Sequence, residues 1–518
     1  MRHRLLRISQ SDKVCAYLLA VATCCTLSTA QTSNTSQDKA LVESVQELRA
    51  QVQELRAAVA EIKTEASQYR AESEELRKEI DSLRGGASSP AAAASSEIAA
   101  SAPPGVANPS LPQRLSSDEE TTQLLQNEIR TQYQTKIESA SKYRVRLSGL
   151  VLLNLFSDHG STNNADFPTY ATAADVYGAR SSFGATFRQS ELGLEVFGPT
   201  VGGAKTSGEV QFDFGGGFPA GALDGVNTGL VRLRTADVRF DWEKTSIIGG
   251  QDNLFISPLT PTSFASLAIP SFGYAGNLWA WTPQIRVEHR FEVRDNQNVT
   301  IQAGIMDNVT GEPSYGTHRE PQAGESSGQP AYAVRTSWNG SYDGRPFGIG
   351  ASGYYSRQNW GFGWLVDGWA VATDWRIPLP SRLELSGEFY RGRAVGGLGG
   401  GIGQSIVFSG NPLDPASDFR PLDSAGAWSQ LKFSATSRLE FNGAFGVDSP
   451  FASSIHAFAS PVSYYPSVLA GNRSEMINFV YRPRSDLLFS GEYRHLRTTQ
   501  IGSLDTADQV NMTMGVLF

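Results

Sequence analysis

Residues 284–294 read Gln-Ile-Arg-Val-Glu-His-Arg-Phe-Glu-Val-Arg, and this stretch decides the fold class. Apolar side chains such as Ile285 and Val287 alternate with charged ones such as Arg286 and Glu288, a period of two that is typical of a β-strand. Similar segments, about sixteen in number and roughly 10 to 13 residues long, recur up to the last residue, and this length fits a tilted strand that crosses a bilayer.

The connections between these segments alternate in length. Short turns such as 295–297 and 483–484 are followed by long loops such as 253–281 and 394–425, and the last segment alternates up to a terminal aromatic, Phe518. Turns on one side and long loops on the other are typical of outer-membrane barrels. We therefore predict an all-β transmembrane barrel of about 16 antiparallel strands over residues 142–518; a soluble β-sandwich or propeller, with strands of about 5 or 6 residues, is the alternative.

Residues 1–30 have the pattern of a secretory signal peptide. A basic start precedes a short apolar stretch at 14–27, and small residues end at Ala30; a retained N-terminal helix is the alternative. All three cysteines lie in this segment, so the mature chain would hold no disulfide and no cysteine metal site. The formal net charge of −8 argues against a nucleic-acid partner. The mean hydropathy of −0.27 excludes a polytopic helical membrane protein.

Between the signal peptide and the barrel, residues 41–84 predict an N-terminal α-helical coiled coil in the periplasm. Apolar positions alternate at spacings of four and three, with basic e positions and, in the later heptads, acidic g positions. Val at a and Leu at d favours two strands, and a single solvated helix is the alternative. A Pro/Ala/Ser-rich linker is predicted at 85–117, followed by a short helical segment at 118–141.

The polar face of each barrel strand would line a lumen wide enough for water. From residue 142 onward the chain has 25 Arg and only 4 Lys against 34 acidic residues, and a guanidinium pairs well with carboxylates. These charges would either set up a transverse field across the pore or hold the wall together as ion pairs. The predicted pore-lining residues are Arg144, Arg146, Glu191, Glu195, Glu209, Asp213, Arg239, Arg286, Glu288, Arg290, Glu384, Glu388, Glu440, Glu492 and Arg494.

The loop at 253–281 is unusually rich in aromatic side chains for a solvent-exposed segment. A loop that folds into the lumen as a constriction would bury them; a loop packed on the rim or on a neighbouring subunit is the alternative. The predicted constriction residues are Asp252, Asn253, Phe255, Phe264, Phe272 and Tyr274. Three arginines, Arg188, Arg232 and Arg234, break the alternation and would point outward unless a β-bulge shifts the register.

Signals for an enzyme are poor. The histidines have no metal-ligand spacing, no serine lies in a Gly-x-Ser-x-Gly turn, and the Gly-rich stretch 396–403 has no lysine. We predict no catalytic residue, no metal and no cofactor; an outer-membrane Ser–His hydrolase is a minor alternative.

Three stretches carry a family resemblance: 187–194, 249–253 and 282–286. Together with the order of coiled coil, linker and barrel, they resemble the DcaP-like and phosphate-selective-porin-like group of trimeric outer-membrane porins. The resemblance implies a homotrimer that passes small, often anionic solutes, whereas the coiled-coil pattern favours two strands. It also implies that the third long loop narrows the channel.

The sequence as a whole predicts a bacterial outer-membrane porin. Small hydrophilic solutes, including anionic ones, would diffuse passively through the lumen, and the partners would be outer-membrane lipid and copies of the chain itself. The alternative from another class is a surface-binding or adhesion protein whose barrel serves only as an anchor.

Overall fold

The computed structural model describes residues 136–137, 144–174, 180–217, 229–294, 296–312 and 319–518. The predicted signal peptide (1–30), coiled coil (41–84) and linker (85–117) lie outside the described residues. From Arg144 onward the alternating segments form strands, because in a strand successive side chains point to opposite faces, here the lumen and the outer surface of the barrel.

Sixteen strands build the barrel, numbered here in chain order. They are β1 Arg144–His159, β2 in two halves Ser181–Thr186 and Glu191–Val201, β3 Ala204–Asp213, β4 Arg232–Asp241, β5 Thr245–Asn253, β6 Trp281–Arg294, β7 Gln297–Met306, β8 Ala331–Tyr342, β9 Arg345–Asn359, β10 Leu365–Leu379, β11 Leu383–Arg393, β12 Asp423–Ser434, β13 Leu439–Pro450, β14 Leu469–Arg484, β15 Leu487–Gln500 and β16 Ser503–Leu517.

Each strand pairs antiparallel with the next, and the last strand closes on the first. β16 pairs with β1 from Leu150↔Leu517 to His159↔Asp508. The terminal Phe518 extends this ladder, because its N–H donates to the carbonyl of Gly149 (3.0 Å) and its carbonyl accepts from the Gly149 N–H (2.9 Å). The predicted all-β antiparallel barrel of about 16 strands is therefore confirmed.

The outer face of the barrel is apolar over its middle. Val151 is 49% exposed, Ile285 57% and Val510 50%. Such exposure of large apolar side chains on neighbouring strands is expected where lipid, not water, covers the surface.

Turns and loops occupy opposite ends of the barrel. Gly202-Gly203 joins β2 to β3, and three related motifs at 381–385, 437–441 and 485–489 each start a strand after a tight turn, at β11, β13 and β15. Most connections at the other end are long, although those at 360–364 and 501–502 are short.

Of the short helical segment predicted at 118–141, only residues 136–137 are described by the structure. Lys136–Ile137 is a short strand that pairs antiparallel with Arg146 and Val145 of β1. This pairing uses the part of β1 that precedes its ladder with β16, which begins at Leu150.

The loops contain a few short elements. Ser161–Thr162 pairs with Ala171–Thr172, and Ile406–Phe408 pairs with Phe419–Pro421; the 3₁₀ turns are Glu325–Ser327, Gly396–Leu398 and Gly400–Gly403, and the one α-helical turn of the described residues is Ala452–Ile455. Within the ranges given above, no helix has both the length and the hydropathy needed to cross a bilayer.

Candidate functional site: the lumen and its inward loop

Residues 254–280, here called the inward loop, lie inside the barrel. The loop connects β5 to β6, yet it hydrogen-bonds to strands that are distant around the barrel. The Thr262 N–H donates to Gln430 on β12 (2.7 Å), and the Ser263 hydroxyl donates to Glu492 on β15 (2.6 Å). Gln189, between the halves of β2, donates to the Ala265 carbonyl (3.0 Å). Only a loop within the lumen reaches all three walls.

Carboxylate and amide side chains of the wall anchor this loop. Glu388 on β11 accepts from the Ser257 hydroxyl (2.6 Å) and from the Leu259 N–H (2.8 Å). Asn478 on β14 donates to the Thr262 carbonyl (2.8 Å). Because buried backbone groups need partners, these side chains replace the water that the loop gives up on entering the lumen.

Two glycines let the loop lie directly on the wall. Gly276 has φ +97°, and a Cβ there would stand 2.3 Å from the Ala427 carbonyl. On the wall, a Cβ at Gly446 would stand 2.3 Å from the Ala275 carbonyl. Any larger residue at either position would push the loop away from β12 and β13.

The predicted constriction residues lie in two different places. Asp252 and Asn253 are the last residues of β5 and precede the loop. Phe255 and Phe272 are buried, at 4% and 2% exposure, so both rings pack the loop against the wall, and Phe255 also borders the cavity that remains between loop and wall. The other two predicted rings make different contacts. The guanidinium of Arg482 lies over the ring of Phe264, 5.5 Å from its centre, and Tyr274 meets Trp279 edge-on with ring centres 5.7 Å apart.

A cavity of about 320 Å³, lined by both charged and apolar side chains, remains between the inward loop and strands β5 to β8. Its lining includes Asp252, Phe255, Trp281, Arg286, Gln302 and Arg335.

The charged groups beside this cavity form one continuous network. Arg286 bonds to Asp252 (2.7 Å) and to Glu288 (2.8 Å). Gln302 joins Glu288 (2.8 Å) to Arg335 (3.1 Å). The network continues to β10, because Arg335 also binds Asp374 on that strand through two nitrogens (2.8 and 3.1 Å). Positions fixed in this way present constant charges to a passing solute.

A second charged cluster lies on β2 to β4. Arg232 pairs with Asp213 (2.6 Å), and Arg234 pairs with Glu191. Both guanidinium groups also lie against Trp281, at 4.7 and 4.8 Å from its ring centre. Carbonyl oxygens of Ala268 and Leu267 accept from Arg232 and Arg234, so the cluster holds a further part of the inward loop.

The three arginines that break the alternation all point inward. A register shift in the β3–β4 pairing at Gln211/Phe212 turns Arg232 and Arg234 toward the lumen. The broken alternation at these two arginines is therefore explained by a β-bulge. Arg188 lies between the two halves of β2, is 6% exposed and binds Asp166 (2.9 Å).

Three of the predicted pore-lining residues are on the inner face but do not border open space. The inward loop covers Glu388, Glu492 and Arg494, which are 4%, 4% and 2% exposed. Their polar groups hydrogen-bond to the loop; for example, Arg494 donates to the Ser271 hydroxyl (3.1 Å).

The remaining predicted residues lie toward the turn side. They form inner-face ion pairs, at Arg146–Glu195 (3.2 Å), Arg239–Asp241 (3.6 Å), Glu384–Arg376 (3.8 Å), Glu440–Lys432 (3.8 Å) and Glu440–Arg482 (3.8 Å). Glu209 bonds to Gln211, Arg290 reaches the turn carbonyl of Glu243 (3.0 Å), and Arg144 begins β1 at the rim.

Sequence reasoning missed Arg335, Asp374 and the packing of the Gly-rich loop. Arg335 is inward because Val334 and Trp338 of the same strand point outward, so the alternation of β8 would have revealed it. In the Gly-rich stretch, the Gly401 N–H donates to the Tyr390 hydroxyl (2.9 Å), which donates to Asp448 (2.7 Å). No local pattern indicates that contact.

Fold and lumen together define a 16-stranded outer-membrane barrel with a loop folded inside it. Solved structures support this class: the outer-membrane channel DcaP of Acinetobacter baumannii has a TM-score of 0.53 at 16% identity, covering 74% of this chain and 99% of that one. The DcaP-like resemblance seen in the sequence is thereby confirmed at the level of the fold.

Other comparisons give weaker similarity or none. An anion-selective porin from Comamonas acidovorans has a TM-score of 0.43 at 12% identity, covering 73% of this chain and 100% of that one. Pseudomonas putida OprB has a TM-score of 0.43 at 9% identity, covering 72% and 94%. No protein-family model and no curated protein matches the sequence.

Proposed function

We propose that the protein is a bacterial outer-membrane porin through which small hydrophilic solutes diffuse passively. The observation that carries this proposal is the cavity between the inward loop and the wall, which is lined by Asp252, Arg286 and Arg335. A loop that narrows a wide barrel to a charged opening is how a porin sets size and charge limits without a binding step or an energy source.

The solutes would include anions. Arg286 and Arg335 border the cavity and are locked in position by their acidic neighbours. A planar guanidinium with a free N–H edge favours carboxylate or phosphate groups. Both arginines are paired, so we expect only a moderate preference for anions.

Assembly and export complete the proposal. Residues 1–30 would direct export, the barrel would sit in the outer membrane, and the coiled coil at 41–84 would project into the periplasm. The heptad pattern predicts self-association, and the resemblance to the DcaP-like group favours a homotrimer over the two strands that Val at a and Leu at d would favour.

Single-channel recording tests the proposal directly. The purified mature protein, shown to be folded, is added to a planar bilayer with a salt gradient across it. We expect stepwise openings in groups of three. We also expect a reversal potential that is shifted from zero toward the Nernst potential of the anion. A folded barrel that passes no current at any voltage would contradict the channel and favour the anchor of a surface-binding protein.

A further inference from the structure

Two outward-facing arginines lie side by side near the loop end of the barrel. Arg473 on β14 is the direct cross-strand partner of Arg497 on β15, and both side chains are exposed. Like charges directly opposite each other on a sheet are destabilising unless an anion lies between them. Their neighbours on the outer face include Glu475 and His495, but within the described residues neither arginine forms an ion pair, a hydrogen bond or a ring contact.

Other arginines at this end of the outer face are neutralised. Arg393 pairs with Asp423 (3.2 Å), and Arg357 pairs with Asp367 (4.0 Å). Arg473 and Arg497, which lie opposite each other without an acidic partner in the described part of the chain, are therefore a specific feature of β14 and β15. A cavity of about 210 Å³ lies beside it, bordered by Ser449, Thr499 and both arginines, which is enough room for a phosphate group.

An apolar groove of about 540 Å³ runs along the same outer surface, closer to the turn side. It is lined by Leu431, Phe441, Gly443, Ile477, Gly491 and Met512. A Cβ at Gly443 would meet no atom within 4 Å, so the groove is open at that point. Ile477 lies four residues below Arg473, about 13 Å along the strand, a distance that an acyl chain spans.

We propose that Arg473 and Arg497, with the groove below them, bind a phosphorylated glycolipid of the outer leaflet. The two guanidinium groups would share its phosphate, and the groove would take one acyl chain. Lipid is favoured over a free anion because the charged site and the apolar groove lie on one outer surface, about 13 Å apart, a separation that the phosphate and acyl chain of one lipid can span. The inference rests on the proposed outer-membrane location, with the loop end facing outward.

The test measures lipid binding to the full mature chain in detergent by native mass spectrometry. Diphosphoryl lipid A, dephosphorylated lipid A and inorganic phosphate are the probes. We expect R473Q/R497Q to weaken binding of diphosphoryl lipid A by at least about tenfold, since two charged hydrogen-bonding groups are lost. The matched control R357Q/R393Q, which removes two arginines that are already paired, should change it less than about twofold.

A second variant tests the groove. Gly443→Leu fills it without backbone strain, and we expect weaker binding of lipid A with the oligomer intact. The proposal is overturned if R473Q/R497Q binds lipid A as the unchanged protein does, or if inorganic phosphate displaces the lipid at equal concentration. Loss of the oligomer in Gly443→Leu would show that the groove is a subunit contact, which also overturns it. Conductance, recorded separately, distinguishes these failures from failure of the porin proposal.

Discussion

Arg286 is the side chain whose charge controls the proposed opening. It lies between Asp252 and Glu288, so Arg286→Gln leaves two carboxylates beside the cavity with no cation between them. A unit charge at about 4 Å changes the energy of an ion by about 1 kcal/mol in water. We therefore expect the anion-to-cation permeability ratio to fall roughly fivefold, measured as a shift in reversal potential.

Arg239→Gln is the matched control for this substitution. Arg239 faces the lumen near the turn side, is more exposed and pairs only loosely with Asp241 (3.6 Å). Its loss should move the reversal potential much less, because mobile ions screen a charge in the wide part of the pore. Equal shifts in the two variants would show that the cavity beside Arg286 does not limit permeation.

Arg335 and Asp374 form a buried pair on the barrel wall, at 9% and 5% exposure. Arg335→Met leaves the Asp374 carboxylate without its cation, and we expect the free energy of unfolding to fall by about 3 kcal/mol. The double variant Arg335→Met/Asp374→Leu should recover most of this loss. Guanidinium unfolding of the unchanged protein, of the single variants Arg335→Met and Asp374→Leu, and of the double variant gives the coupling energy, and additive losses would mean that the pair is not coupled in the folded barrel.

At this scale the alternation predicted which face a residue occupies and missed what covers it. Glu388 and Glu492 do point inward, but their side chains hydrogen-bond to the inward loop and so do not border an open pore. That contact joins positions far apart in the sequence, such as Ser263 and Glu492, so no local pattern contains it. The bulge that turns Arg232 inward left a trace, the broken alternation, but the sequence could not choose between a bulge and an outward arginine, because one extra residue changes parity without changing composition.

Among the elements, the inward loop is held by hydrogen bonds with side chains of several wall strands. Glu388→Ala removes the acceptor for both Ser257 and Leu259, and each lost partner for a buried donor costs about 1 to 3 kcal/mol. We expect the loop to leave the wall more often, so single-channel recordings should show noisier current and brief states of higher conductance.

Glu440→Ala serves as the control for that variant. Glu440 is also an inner-face carboxylate, yet its ion pairs are with Lys432 and Arg482 of the wall. Quiet recordings from Glu440→Ala together with noisy ones from Glu388→Ala would locate the effect in the loop. Identical recordings from both would contradict the role of Glu388 as an anchor.

The same scale explains why the strands were easier to predict than the loop. A strand with one face in lipid must alternate, so its sequence reports its surroundings residue by residue. An aromatic-rich loop needs only some apolar cover, which a lumen, a rim or a second subunit would supply equally well. The turn motifs at 381–385, 437–441 and 485–489 were informative because a tight turn restricts its own residues.

For the whole molecule, the barrel closes through its own strands. β1 pairs with both β2 and β16, and the terminal Phe518 completes the seam at Gly149. A chain that keeps its signal peptide but lacks residues 41–117 should therefore still fold and insert, because every strand of the closed sheet is retained. Heat-modifiable migration in gels reports the folded barrel, and planar bilayers report its conductance.

We expect the conductance of each open step to be unchanged by this deletion, since the inward loop and the network around Arg286 are intact. The oligomer should become easier to dissociate by heat, because the heptads that favour self-association are gone. Deletion of the linker alone, 85–117, is the control and should leave oligomer stability as it was. A deletion that abolished insertion would show that the N-terminal segments act in assembly of the barrel, and unchanged heat stability would show that its subunits associate through the barrel alone.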